Sequence, residues 1–200
     1  MRASIASMTG FFSAMGNISH GMESYIETKN FIVAEADRDV VSLLTQIRLP
    51  WLDAEGVERF HVFDLVKVLR SGVRIFEAVK PKALQEPSGI HDVIAAFRTQ
   101  YRDPRMLFRV VDEDMLPHWR VANALLTLKA LRTPDPKADD GLFEVVADAD
   151  EPITVEEAGR RAGLGDRTLE AAAPLLRTGE IALRGDPELT HRSAIELAER

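Results

Sequence analysis

Two short helices joined by a glycine turn are the feature that most constrains the fold of this chain. They are encoded by ITVEEAGRRAGLGDRTLEAAAPLLRTGEIAL, residues 153–183. Thr154 and Glu157 have the spacing of a capping box, in which the two side chains satisfy each other's free backbone amides at a helix start. The glycines in residues 163–165 predict the turn, and Asp166 is a favourable N-cap for the second helix.

Two short strands are predicted to follow these helices. Residues 181–183 and 188–190 flank the turn RGDP, and residues 193–199 are predicted to form a last helix. This order of capped helix, glycine turn, second helix and two-stranded wing resembles the winged helix-turn-helix superfamily, which includes many bacterial transcription regulators. The resemblance covers residues 141–200, and it implies a winged-helix fold that associates with double-stranded DNA.

The remainder of the chain is predicted to be mainly helical. Apolar residues recur at helical spacing in several segments, and only short runs indicate strands. The fold class is therefore predicted as mainly α, with minor α+β character: a helical N-terminal domain with one or two short strands, followed by the winged helix. The predicted helices are residues 40–49, 53–70, 88–101 and 118–132; residues 106–111 are a predicted strand, and 73–79 are either a strand or a further helical turn.

Composition changes divide the chain into segments. Residues 133–140 combine two prolines with aspartates and are predicted to be a linker between a helical domain at 31–132 and the winged helix. In residues 1–30, methionines recur every seven residues from Met1 to Met22, which predicts either an amphipathic helix or a poorly ordered extension.

The resemblance assigns candidate DNA contacts to the second helix and the wing. Direct readout of bases requires polar or basic side chains at the start of the recognition helix. The candidate DNA-binding residues are Arg160, Arg161, Arg167, Thr168, Arg177 and Arg184. Residues 141–200 nevertheless carry 13 acidic against seven basic side chains, a net charge of −6, whereas DNA-binding domains are usually basic.

A second basic patch lies in the middle of the sequence. Residues 67–109 contain nine Lys or Arg against four Asp or Glu, a net charge of +5. Arginine interleaved with aromatic side chains suits phosphate contacts and base stacking. The patch consists of Arg98, Tyr101, Arg102, Arg105 and Arg109. An alternative interpretation is that these arginines lie on the solvent-exposed face of a helix and form ion pairs with neighbouring acidic side chains.

Two functions remain open at this point. The first is a winged-helix regulatory protein of the transcription-regulator type, in which residues 31–132 form a homodimer or sense a ligand. The alternative is a protein–protein interaction adaptor with an acidic winged helix, as in chromosome-organising complexes, in which the small side chains of residues 171–173 allow close packing of a partner helix.

Several kinds of chemistry find no support in the residue pattern. The sequence has no cysteine, and its five histidines are scattered without metal-ligand spacing. It contains no glycine-rich phosphate loop and no run of about 18 apolar residues. We therefore expect a cytoplasmic protein without catalytic residues, metal, cofactor or stable membrane association.

Overall fold

The computed structural model describes residues 10–13, 19–22 and 24–199, which fall into two compact units. The first unit comprises Met1–Glu35 and Asp39–Pro117, and the second comprises Ala36–Arg38 and His118–Arg200. The division therefore lies at residue 117, so that the helix at residues 118–132 belongs with the C-terminal unit rather than with the N-terminal one.

The first unit is built around a mixed β-sheet. Its strands are β1 (Gly10–Ser13), β2 (Ser19–Met22), β3 (Val40–Leu52), β4 (Glu58–Leu69), β5 (Arg74–Val79) and β6 (Met106–Val111). Its helices are α1 (Tyr25–Ala36), α2 (Lys82–Ser88) and α3 (Ile90–Gln100). β1 and β2 form a separate antiparallel pair, while the other four strands form one sheet in the order β3-β4-β5-β6.

The four-stranded sheet contains both antiparallel and parallel pairings. β3, β4 and β5 are successive antiparallel neighbours, and β6 runs parallel to β5 after a crossover through α2 and α3. One face of the sheet packs on α3 through a cluster of aromatic side chains, with Phe63, Phe97 and Phe108 all buried. A smaller cluster joins Phe31 of α1 to Leu65 of β4.

The prediction of a mainly α protein is wrong, because the fold is α+β and β3 and β4 occupy the two segments predicted as N-terminal helices. In β3, exposed and half-buried residues alternate along most of the strand, as expected for a pleated edge strand. The central part of β4 is buried on both faces, so its sequence is apolar nearly all round, like that of a core helix. Short apolar runs of this kind do not distinguish a strand from a helix by periodicity.

The residues between β3 and β4 form a hairpin turn, where the sequence predicted a helix N-cap. Asp53 Oδ1 accepts hydrogen bonds from the backbone N–H groups of Glu55 (3.1 Å) and Val57 (2.8 Å). Gly56 has a φ of 77°, a conformation that glycine adopts without strain. Asp53 therefore stabilises a turn that brings two strands together.

The N-terminal methionine pattern falls largely outside the described residues. Of this region, Gly10–Ser13 and Ser19–Met22 pair as antiparallel strands, in place of the amphipathic helix that was one of the two predictions.

The second unit contains four helices and a small sheet among its described residues. The helices are α4 (His118–Arg132), α5 (Pro136–Ala147), α6 (Val155–Arg161) and α7 (Thr168–Thr178); the strands are β7 (Ile153–Thr154), β8 (Ile181–Arg184) and β9 (Ala194–Leu197). The sheet order is β7-β9-β8, and both pairings are antiparallel. A continuous apolar core joins α5, α6, α7 and the sheet.

Two segments of this unit differ from the sequence prediction. α5 begins at Pro136, inside the predicted linker, with Asp135 as its N-cap. β9 occupies most of the predicted last helix and pairs with β8, because alternate residues such as Ile195 face the core. Thr154 does cap α6, with its hydroxyl accepting from the Glu157 N–H at 3.2 Å. No helix among the described residues is both long and apolar enough to cross a membrane.

Candidate functional site

Asp64 marks an irregularity in the middle of β4. Thr45 pairs with Leu65 and Ile47 pairs with Phe63, which places Gln46 opposite Asp64. Gln46 has a φ of 56°, an uncommon and strained value for a residue with a side chain. The regular ladder is therefore distorted at the position where Asp64 projects from β4.

The carboxylate of Asp64 lies at the end of the neighbouring strand. Its Oδ2 accepts a hydrogen bond from the backbone N–H of Val79, the last residue of β5, at 2.6 Å. Burial is the main cause that raises the pKa of Asp64, and the negative charge of Glu27 adds to it; the Val79 N–H and the positive charge of Lys80 act in the opposite direction, and the net result is a pKa of about 6. The Asp64 carboxyl therefore titrates close to neutral pH.

Three charged side chains converge here from three elements. Glu27 lies in the first turn of α1, Asp64 lies in β4 and Lys80 directly follows β5. All three are half-buried, so that they are held by the fold and still reach solvent. Ser24 fixes the start of α1 by accepting from the Glu27 N–H at 3.2 Å. We call Glu27, Asp64 and Lys80 the acidic-lysine cluster.

His61 lies close to the cluster on the same strand as Asp64. Its ring packs edge-on against Phe63 with centroids 4.9 Å apart. Burial, and then the charge of Lys80, lower the pKa of His61, so the ring is neutral at neutral pH. Its Nε2 is buried and has no hydrogen-bond partner among the described residues.

A buried ionic network anchors the helix that carries Glu27. Glu77 in β5 is fully buried, and its Oε1 lies 2.9 Å from Lys67 Nζ and 2.8 Å from Arg109 Nε. Its Oε2 accepts from Asn30 Nδ2 at 2.7 Å, and Asn30 is one turn beyond Glu27 in α1. Breaking a buried network of this kind leaves an unpaired charge in the interior, which costs several kcal/mol. The network therefore holds α1 against the sheet at a defined position.

The acidic-lysine cluster contains two carboxylates, Glu27 and Asp64, whose capacity to hold a metal ion depends on the kind of metal. No group of three or more His, Cys, Asp or Glu side chains able to hold a metal occurs in the part of the chain that the structure describes. A closed zinc site needs such a group. Mg²⁺ instead keeps several waters and commonly uses one or two carboxylates together with substrate phosphates. Glu27 and Asp64 supply that number of carboxylates.

The candidate DNA-binding residues of α7 have partners inside the second unit. Arg167 Nη1 lies 2.6 Å from an Asp135 carboxylate oxygen, and Arg177 Nε donates to the Ala36 carbonyl at 2.8 Å. Thr168 is 3% exposed and donates to the Gly165 carbonyl at 2.7 Å. Thr168 therefore faces the interior, in contrast to its predicted contact with DNA.

The remaining candidates of this unit are exposed and form ion pairs. Arg160 and Arg161 both bond to Glu157, at 2.7 and 2.8 Å, and these hydrogen bonds lower the Glu157 pKa to about 2. Arg184 lies 3.0 Å from Glu196 on the neighbouring strand. A phosphate would have to compete with a carboxylate for each of these three guanidinium groups.

The helix face expected to be open is largely covered. Ala171, Ala172 and Ala173 are each at most 2% exposed, and α7 packs against α4 within the same unit. Glu170 forms an ion pair with Lys129 of α4 at 2.6 Å. The small side chains that suggested docking of a partner helix therefore receive a helix of the same chain.

The second basic patch comes together at the edge of the four-stranded sheet. Arg98 Nε donates to the Phe108 carbonyl at 2.9 Å, Tyr101 donates to the Pro50 carbonyl at 2.8 Å, and Arg105 lies 3.9 Å from Asp103. Arg109 is held by Glu77, as described above. Arg98, Tyr101, Arg102 and Arg109 line a groove of about 520 Å³, and Arg105 lies outside its lining. We call this the edge groove.

Sequence reasoning did not single out the acidic-lysine cluster. Asp64 interrupts the apolar run HVFDLV, and Lys80 directly follows the run RIFEAV. A polar residue within or directly after a buried strand is a feature that indicates a site of this kind. Here it would have done so only if HVFDLV and RIFEAV had been predicted as neighbouring strands. No family model and no curated protein matches this chain.

Proposed function

We propose that this protein is a divalent-metal-dependent hydrolase of phosphodiester bonds that acts on DNA. The observation that carries the proposal is the convergence of Glu27, Asp64 and Lys80 at the end of β5. A hydrolase differs from the non-catalytic regulator that the sequence predicted. That prediction rested on a sequence pattern that did not reveal the cluster.

The chemistry follows from the charges of the cluster. Burial raises the pKa of Asp64, and the negative charge of Glu27 adds to that shift. A bound cation would offset both effects by favouring the ionised carboxylates. Glu27 and Asp64 would hold Mg²⁺ or Mn²⁺. A metal ion in such a site acts as a Lewis acid towards phosphate oxygens and lowers the pKa of bound water.

Lys80 has a distinct role in this scheme. Its ammonium group, whose positive charge acts on Asp64, would bind a non-bridging phosphate oxygen and stabilise the negative charge that increases on it in the transition state. Hydrolysis adds the water oxygen to phosphorus, breaks one ester P–O bond and delivers a proton to the departing oxygen. The products are a phosphomonoester end and a hydroxyl end.

Two further features support DNA as the substrate. The cluster and the edge groove belong to the same unit, and residues 67–109 carry a net charge of +5. A polyanionic substrate is attracted to a region of this kind even though the chain as a whole has a net charge of −7.

The test combines metal binding with cleavage. We expect Mg²⁺ or Mn²⁺ to raise the melting temperature of the protein and to permit nicking of supercoiled plasmid, and EDTA to abolish both effects. Asp64→Asn, Glu27→Gln and Lys80→Ala should each lower the nicking rate at least 100-fold, and the first two should also weaken metal binding.

Matched variants control for contaminating nuclease and for general charge effects. Asp92→Asn on α3 and Lys137→Ala on α5 remove exposed charges and should nick at the wild-type rate. The absence of both metal-dependent stabilisation and cleavage would contradict the proposal. Nicking by Asp64→Asn at the wild-type rate would equally place the activity elsewhere.

A further inference from the structure

The edge groove is a concave surface with two chemically different parts. Its walls include the apolar side chains of Ile75, Met106 and Leu107, and its rim includes Arg98, Arg102 and Arg109. Leu107 is 49% exposed, which is unusual for a leucine in a strand whose other apolar neighbours are covered. This combination suits a ligand with both an apolar face and negative charge.

The groove lies along an open strand edge. Among the described residues, β6 pairs only with β5, in a register that puts Leu107 beside Ile75. Arg98 Nε donates a hydrogen bond to the Phe108 carbonyl on the outer side of β6. The guanidinium group therefore covers part of this strand edge and obstructs the addition of a further strand. The edge is therefore better suited to a charged ligand than to an extended peptide.

Positive charge in and around the groove exceeds the negative charge that neutralises it, counting three cations that lie outside the groove lining: Arg74, Arg105 and Lys67. Asp103 is shared by Arg74 at 3.4 Å and Arg105 at 3.9 Å. Glu77, which holds Arg109, is shared in the same way with Lys67. Each carboxylate therefore faces two cations.

The other two arginines of the rim add to this excess. Arg98 binds a neutral carbonyl, and exposed Arg102 has no hydrogen bond or ion pair to any described residue. Uncompensated charge of one sign repels itself, and binding of an anion relieves the repulsion.

We propose that the edge groove binds a single-stranded segment of DNA, with phosphates on Arg98 and Arg102 and a base against the exposed side chain of Leu107. The inference rests on the proposed function, because the strand held in the groove is the substrate, which supercoiled plasmid presents where its duplex opens locally. A duplex keeps its bases stacked and paired, so it cannot place one inside a groove, whereas a single strand can present both a base and its phosphates.

The distance to the acidic-lysine cluster agrees with a continuous strand. Lys80 is five residues beyond Ile75 along β5, or about 16 Å at the usual rise of a strand. A stacked nucleic-acid strand rises about 3.4 Å per nucleotide, so roughly five nucleotides cover that distance. An oligonucleotide of about 12 nucleotides is therefore long enough to reach both the edge groove and the acidic-lysine cluster.

The experiment measures binding without cleavage. Fluorescence anisotropy of labelled 12-residue oligothymidylate is followed at low salt in EDTA, with a 12-base-pair duplex in parallel. We expect the single strand to bind at least tenfold more tightly than the duplex. Arg102→Glu and Leu107→Glu should each reduce single-strand affinity at least tenfold, because both put a negative charge at an exposed position of the groove.

The control is Arg132→Glu, which reverses an exposed arginine of α4 and should change affinity less than twofold. Unchanged single-strand affinity in both groove variants would overturn the inference, as would duplex binding as tight as that of the single strand. Groove-dependent binding without metal-dependent cleavage would contradict the proposed function alone. Cleavage with groove-independent binding would contradict this inference alone.

Discussion

At the scale of single residues, Asp64 is a group whose ionisation lowers the stability of the folded protein. The carboxyl accepts one backbone hydrogen bond but is partly desolvated and lies near Glu27, so ionisation is harder in the folded protein than in the unfolded chain. Groups with raised pKa values of this kind concentrate at functional sites, where their charge serves a ligand.

Asp64→Asn is expected to stabilise the protein in a pH-dependent way. The Asp64 pKa is about 6 in the folded protein against an ordinary value of 3.8, so the folded state binds more protons between these values and loses stability as pH rises. Asparagine can still accept from Val79. At pH 7.5 without metal, the variant should have a free energy of unfolding about 2 kcal/mol above that of the wild type, since partial exposure reduces the full effect. Near pH 4 the difference should disappear.

Urea denaturation of both proteins at the two pH values measures this difference. Equal stability of the two proteins at pH 7.5, or a larger difference at pH 4 than at pH 7.5, would contradict the assigned environment of Asp64.

The sequence alone could not show that the three residues of the acidic-lysine cluster lie close together. In a helix from 53 to 70, Asp64 would have been one polar residue on the solvent side. Only the pairing of β4 with β5 brings it to Val79, and only the packing of α1 on the sheet brings Glu27 close. The arginines of the basic patch were recognised individually because their type is informative without a partner.

At the scale of elements, α6 and α7 are held together by an unusually close contact. Gly159 of α6 faces Thr168 at the start of α7, and a Cβ added at residue 159 would overlap the hydroxyl and methyl groups of that threonine. The contact explains why Thr168 is turned inward. It also explains a glycine in the middle of a short helix, where glycine otherwise lowers stability.

Gly159→Ala is expected to destabilise the second unit by about 2 kcal/mol, because the added methyl group must displace Thr168 and, with it, the start of α7. The matched control is Gly141→Ala in α5, where nothing lies within 4 Å of an added Cβ. That variant should be unchanged or gain up to about 1 kcal/mol from its helix propensity. Thermal unfolding of both variants tests the contact, and equal effects would contradict it.

The elements were predictable to different degrees. The turn around Gly163 and the cap at Thr154 were found because glycine and capping residues act locally. β3 and β4 were mistaken for helices because strand formation depends on a partner far along the chain. β9 was missed for the same reason, since its pairing with β8 is what determines its conformation.

At the scale of the whole molecule, charge is distributed very unevenly between segments of the chain. Residues 67–109 have a net charge of +5, whereas residues 141–200 have −6. The exposed arginines of the second unit are mostly paired with carboxylates, as Arg167 is with Asp135. We therefore expect electrostatic attraction of DNA to depend on the first unit.

A salt titration of DNA affinity tests this expectation. The logarithm of affinity falls with the logarithm of salt concentration in proportion to the number of phosphate contacts. Arg102→Ala should reduce the slope by about one. Arg167→Ala and Arg184→Ala should leave affinity within twofold and the slope unchanged, because these side chains already bind carboxylates. A tenfold loss of affinity in Arg167→Ala would instead identify the second unit as the DNA-contacting surface.

The sequence by itself determined those features that depend on neighbouring residues. It specified the cap at Thr154, the glycine turn at residues 163–165, the helix at residues 118–132 and the basic character of residues 67–109, because each follows from side chains within a few positions of one another; the predicted cap at Asp166 is wrong, since α7 begins after Arg167 without a side-chain cap. Tertiary structure decided the sheet, the burial of α7 and the acidic-lysine cluster. These features depend on contacts between residues many positions apart, such as Asn30 and Glu77, and the free energy of such contacts is available only once the strands have paired and the helices have packed on them.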